Sequence, residues 1–299
     1  DLHLSIRRQR QMCIRDRSNP ADGFMQAAEQ LINQANLNPR SIVSITHGTT
    51  LATNALIERR GAKTALITTE GHRDSLEMGH ENRFDQYNFN ADRKPPLVPR
   101  KFRWPIKERV NYRGEILKNL NDSSIKNLFP LLEAHNIESI AVGLLHSYAN
   151  PKHEKRIKNL LSRQFPELSI SISSEVCPEI REFERQSTTC VNAYIQPLIA
   201  SYLNDVKKRL IDSGFECACL LITSGGHQIT IDTATSVPVR LIESGPAGGA
   251  ILAASLAKSL NEPSIISFDM GGLSLIHISE PTRPERRGYA GLWVEKKRG

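Results

Sequence analysis

Three short glycine-bearing corners carry the residue types that bind an anion. His47, Gly48, Thr49 and Thr50 stand between an apolar stretch at 42–45 and a helical pattern at 51–60 that stops at Gly61. Ser244, Gly245, Pro246, Ala247, Gly248 and Gly249 stand between an apolar, β-branched stretch at 239–243 and an alanine-rich helical run at 250–257. Asp269, Met270, Gly271 and Gly272 end a third apolar run, 265–268. A strand that turns on glycine into a helix leaves backbone N–H groups free, with the helix dipole behind them. Hydroxyls at Thr49, Thr50 and Ser244 add donors, and the missing Cβ lets an anion approach the backbone. Phosphate suits such a nest. Asp269 sets a carboxylate beside the third turn, where it can hold the water shell of a Mg2+ ion. Two plainer readings stay open. Thr49 or Thr50 can be an ordinary N-cap, and the small residues at 244–249 serve close helix–strand packing equally well.

The elements that must position these corners alternate along the chain. A helical pattern at 24–32 precedes the strand at 42–45, and a second strand is predicted at 63–69. The polar, proline-punctuated stretch 80–103 reads as a long loop of the kind that often carries function. A hairpin turn is predicted at 111–115, a helix at 123–136, a buried strand at 140–145 and a helix at 152–164. Residues 168–173 alternate apolar and polar, as a half-buried strand does. A long helix follows from 181 to 210, with Pro197 expected to kink or restart it. A strand at 220–223 and a tight turn at 224–226 lead to the second corner. Strands alternating with helices predict an α/β fold. His146 and Ser147 fall at the C-terminal end of a strand, where such folds bind ligands, although a lone His there is commonly structural. Arg181, Glu182, Glu184 and Arg185 read either as a charged hinge or as a solvated helix start.

Charge and cysteine usage narrow the class. The 299 residues carry a net charge of +7, but 1–17 and 273–299 hold +3 each, so the body carries only +1. That distribution leaves no basic face for nucleic acid. No apolar run reaches membrane-spanning length, and no secretory leader pattern is evident, so a cytoplasmic protein is expected. The five cysteines, Cys13, Cys177, Cys190, Cys217 and Cys219, lack framework spacing. Cys217 and Cys219 read as thiols in a strand, for want of a second pair to complete a zinc site.

Two runs carry a family resemblance. H-G-T-T-L-A-T-N-A-L-I-E-R-R-G-A-K-T-A-L-I-T-T-E-G-H-R-D at 47–74 and E-V-C-P-E-I-R-E-F-E-R-Q-S-T-T-C-V-N-A-Y-I-Q-P-L at 175–198 resemble the hydantoinase A/oxoprolinase family. The resemblance covers about 18–272. It implies an actin-like, ribonuclease H-like ATPase fold, with ATP and Mg2+ as cofactors. It implies division into an N-terminal region, 18–185, and the start of a hydantoinase A domain, 186–272. Glu81, Asn82 and Arg83 stand where relatives carry a similar triplet, which implies a loop facing the substrate or a partner. The family's opening D-x-G-G-T-F-T-D phosphate loop has no counterpart here, and Gly272 is followed by unrelated sequence. The fold is therefore expected to be incomplete, lacking the first phosphate-loop strand and the C-terminal part. The stretches 1–17 and 273–299 resemble translated sequencing-adapter peptide and are expected to be foreign or disordered flanks.

The activity implied is ATP-dependent hydrolysis of a cyclic amide, in which phosphorylation activates a lactam or hydantoin carbonyl. A hydantoinase B-like second subunit or fused domain is implied as partner. A piece lacking the first phosphate loop is expected to be inactive by itself. A sugar-kinase-like phosphotransferase and a non-catalytic subunit of a carboxylase-type complex are the competing readings.

Overall fold

The computed structural model describes residues 19–80 and 95–262. Ten helices and nine strands fall in these residues. In chain order the helices are α1 Pro20–Ala35, α2 Leu51–Ile57, α3 Ser75–Met78, α4 Asp122–Lys126, α5 Phe129–Ala134, α6 Lys152–Gln164, α7 Ser173–Val176, α8 Glu182–Asp212, α9 Ile231–Ser236 and α10 Ser244–Leu260. The strands are β1 Ser44–His47, β2 Thr64–Thr69, β3 Arg103–Ile106, β4 Arg109–Val110, β5 Ile116–Lys118, β6 Ser139–Gly143, β7 Ser169–Ile172, β8 Ala218–Ile222 and β9 Gln228–Thr230.

They build two principal sheets and a hairpin. One sheet has the order β3-β2-β6-β7, parallel throughout. All-parallel strands are buried on both faces, and all six residues of β2 and all five of β6 are buried. β7 follows the same rule, not the predicted half-buried alternation. Ser171 turns inward, donating to the Gln196 side chain and accepting from Asn192. The other sheet has the order β1-β8-β9, with β1 parallel and β9 antiparallel to β8. The predicted turn at 111–115 joins β4 to β5 as an antiparallel hairpin.

Helix α8 joins the two halves. Cys190 and Ala193 pack in the core under β2 and β6, while Tyr194, Ile195, Ile199, Leu203 and Val206 pack in the core shared with α1, α2 and β8. Pro197 neither ends nor restarts this helix, which stays continuous for 31 residues. Proline lacks the N–H that would reach the carbonyl four residues earlier, that of Ala193. Ser139 Oγ donates to that carbonyl at 2.6 Å, and Ala62 N donates to the next one, Tyr194 O, at 2.8 Å. Neighbouring groups thus satisfy what proline leaves exposed.

Several boundaries differ from the sequence reading for local reasons. β1 begins two residues late, because Asn38 caps a 3-10 turn at Pro39–Ser41 and Val43 is left 90% exposed. Helix α2 ends at Ile57 rather than at Gly61, and Arg59 takes the left-handed turn with φ 55°. Gly61 serves close approach instead, since a Cβ there would lie 2.2 Å from the Tyr194 ring. The helix expected at 123–136 is split into α4 and α5, with Pro130 in the first turn of the second. The strand expected at 239–243 is a 3-10 turn, Pro238–Leu241. No described helix is long and apolar enough to cross a membrane.

Candidate functional site

The first two glycine corners meet. β1 ends at His47, the chain turns through Gly48, and α2 begins after Thr50. Against this turn lies the start of α10. Ser244 Oγ donates to Thr49 O at 3.2 Å, and Glu243 N donates to Thr53 Oγ1 at 3.2 Å. A Cβ on Gly245 would sit 3.7 Å from the Thr50 methyl, so glycine here keeps a gap between the corners.

The individual residues divide between the readings. Thr49 Oγ1 accepts from Leu51 N at 3.2 Å, a capping contact at the start of α2, while Thr50 makes no cap bond. Ser244 is not the cap of α10. Glu243 holds that position with φ 60°, without a side-chain cap bond, and Ser244 spends its hydroxyl on Thr49. The first amides of this 17-residue helix are therefore left without a side-chain acceptor, and its first turn holds no acidic residue. Gly248 serves packing, because a Cβ there would touch Ile222 at 3.4 Å. Gly48 and Gly249 face open space within 4 Å. Asp269, Gly271 and Gly272, and the loop residues Glu81, Asn82 and Arg83, lie outside the described residues.

His47 anchors the turn from below. Its Nε2 hydrogen-bonds Tyr202 OH at 2.8 Å, and its ring meets Phe24 edge-on at 4.6 Å. Burial pulls its pKa down from 6.5 to about 4, so the ring is neutral at neutral pH. The folded value lies below the unfolded one, so the contribution of His47 to stability is full above pH 6.5. It is lost as the pH falls through 6.5 toward 4. At most about 3 kcal/mol is at stake. The expected result is an acid-side decline in melting temperature that is smaller in His47→Gln, after both curves are referenced to pH 8.

The donor set here is backbone amides and hydroxyls, which fits phosphate oxygens. Among the described residues, no group of three or more His, Cys, Asp or Glu side chains could hold a metal ion. Cys219 has its pKa pushed up to about 11 by burial and stays a thiol.

The residues at 181–185 divide: Arg181 is exposed and pairs with Glu184, as a solvated helix start does, whereas Arg185 turns inward. Arg185 is fully buried, donating from Nη1 to Glu179 O at 2.6 Å and from Nη2 to Leu144 O at 3.0 Å. Gln186, also buried, donates to Gly143 O at 2.9 Å and to Thr68 Oγ1 at 3.0 Å. Sequence reasoning missed Glu154, which lies in the first turn of α6 among charged neighbours and reads there as surface. It is fully buried, accepting from Leu144 N, Ser173 Oγ and Ser174 N. Burial raises its pKa and the three bonds oppose that rise.

Comparison with known proteins decides the family. Residues 8–165 match the hydantoinase/oxoprolinase N-terminal region, and residues 185–282 match hydantoinase/oxoprolinase. The chain belongs to the hydantoinase/oxoprolinase family. It is 30% identical to the caprolactamase subunit alpha of Pseudomonas jessenii over 266 residues, covering 86% of this chain and 38% of that one. It is 33% identical to a Saccharomyces cerevisiae 5-oxoprolinase over 267 residues, covering 80% of this chain and 20% of that one. This hydantoinase/oxoprolinase chain thus spans between a fifth and two-fifths of the length of these relatives. Its mixed α/β fold matches the crystal structure of the ATP-dependent caprolactamase from Pseudomonas jessenii with a TM-score of 0.71 at 30% identity, over 83% of this chain and 37% of that one.

Proposed function

We propose that this chain forms part of an ATP-dependent cyclic-amide hydrolase, and that its fold is a portion of an actin-like ATPase. The observation that carries the reading is the meeting of the 48–50 turn with the uncapped start of α10 across the gap kept by Gly245. The names of the ATP-dependent caprolactamase and of 5-oxoprolinase support it.

In this reading the amides of α10 and of the 48–50 turn bind the nucleotide phosphates. Transfer of the γ-phosphoryl group to the lactam carbonyl oxygen turns a stable amide into a reactive imidate ester. Water then adds to that carbon and the C–N bond breaks, leaving an acyl phosphate on the opened chain. A second water hydrolyses this to release phosphate and the ring-opened amino acid. Fixed donors favour this transfer because they need not reorganise as charge moves. Mg2+, held through Asp269, would neutralise phosphate charge. A second subunit or fused domain completes hydrolysis, in keeping with the subunit named in the Pseudomonas jessenii relative.

The test is ATP hydrolysis by the full-length protein with its partner. A cyclic amide such as caprolactam, 5-oxoproline or hydantoin is expected to raise the rate at least tenfold. ATP turnover that responds to a sugar and to no cyclic amide would transfer the protein to the sugar-kinase class.

A further inference from the structure

A second candidate ligand site lies at the switch point of the larger sheet, away from the proposed phosphate corner. In the sheet order β3-β2-β6-β7, the chain leaving β2 runs to β3 and the chain leaving β6 runs to β7, on the opposite side. The C-terminal ends of β2 and β6 therefore flank the topological switch point, where open parallel sheets bind ligands. Three residues beyond each strand stands a histidine, His72 after Thr69 and His146 after Gly143. His146 holds the left-handed conformation, φ 54°, and its Nδ1 lies 3.3 Å from Tyr148 OH. Gln186 bonds Gly143 O and Thr68 Oγ1, and Ser75 Oγ bonds it in turn.

Two opposite charges act on these histidines. Arg109, at the start of β4, donates from Nη1 to His72 Nε2 at 3.2 Å. An arginine only donates, so His72 accepts with Nε2 and carries its proton on Nδ1. Glu182 opens α8, and both it and Arg109 lie within electrostatic reach of His72 and of His146. Among the described residues neither Arg109 nor Glu182 has an ion-pair partner within 4 Å, although both are half-buried. Burial, before any charge, pushes both imidazoles below their ordinary value, so the rings are neutral polar groups within reach of both charges.

We propose that this site binds a small zwitterionic amino acid, its carboxylate on Arg109 and His72 and its ammonium on Glu182. The residues alone give the chemical class. Naming the ligand as the ring-opened product of a cyclic amide rests on the proposed function. The site is separate from the proposed phosphate corner: Gln186 at the switch point and Tyr202 under His47 are 16 residues apart on α8, about 24 Å along a helix. It thus reads out the product at a distance from phosphoryl transfer.

The probes are 6-aminohexanoate and glutamate, with hexanoate, hexylamine and inorganic phosphate beside them. Binding is measured by calorimetry, and the site by NMR of the histidine rings. At least one of the two amino acids should shift His72 and His146 and leave His47 unmoved. Arg109→Gln and Glu182→Gln should each weaken that binding about tenfold or more, with the melting temperature preserved. Silence of both rings with every probe would overturn the site. Hexanoate binding as tightly as 6-aminohexanoate, with Glu182→Gln without effect, would overturn the zwitterion. Amino-acid binding without lactam-stimulated ATP turnover would sink the catalytic reading and leave this one. Lactam-stimulated turnover with silent rings would do the reverse.

Discussion

Arg185→Leu should cost about 3–5 kcal/mol and lower the melting temperature by about 10 °C. The guanidinium is fully buried at the head of the helix that joins both cores. It supplies donors to two carbonyls, Glu179 O and Leu144 O, and lies 5.4 Å from the centre of the Tyr148 ring. Leucine fills part of the volume and strands both acceptors. It also removes a cation that acts attractively on the buried Glu154. Arg181, four residues earlier, is the natural control. It is mostly exposed and pairs with Glu184 one turn along, so Arg181→Leu should change stability by no more than about 0.5 kcal/mol. Denaturant unfolding of both variants checks the contrast, and equal losses would remove Arg185 from its structural role.

Gly245→Asp should leave the fold intact and reduce ATP turnover of the full-length protein at least about 100-fold. A Cβ at this position makes an ordinary contact, 3.7 Å from the Thr50 methyl, so no clash is introduced. An aspartate in the first turn of α10 interacts favourably with the helix dipole, and the chain loses the backbone freedom of glycine. Stability is therefore expected to hold or rise. The same carboxylate takes the free amides and repels the phosphate that the proposed function sets there. A variant that is more stable yet inactive separates the binding role of this corner from a packing role. Retained turnover would favour packing.

How much of this was legible in sequence depended on how local the signal was. Helix α6 falls at Lys152–Gln164, as its periodicity predicts, because Pro151 and a regular apolar stripe mark it. β2 and β6 show as apolar runs because both faces are covered. The stretch at 239–243 has strand-forming residues, yet Pro238 starts a 3-10 turn whose Arg240 carbonyl accepts from Ser224 N, a contact that no local pattern announces. Pro197 did not restart α8 for a similar reason: the carbonyl it leaves unbonded accepts from Ser139, 58 residues away in the chain. The glycines of the proposed phosphate corner were visible as a motif, but their sorting was not. Only the packing of Ile222 and Thr50 tells Gly248 from Gly245. The candidate site at His72 and His146 was half legible. His146 was marked by its place after a strand, whereas its company with Arg109 and Glu182 depends on strand order.

The most direct test of the phosphate corner is an amide NMR titration of the full-length protein with ATP. The backbone N–H signals of Thr49, Thr50 and Gly245 should move together on addition of nucleotide, while those of β2 and β6 stay in place. Nucleotide that binds and leaves those three signals unmoved would contradict the account.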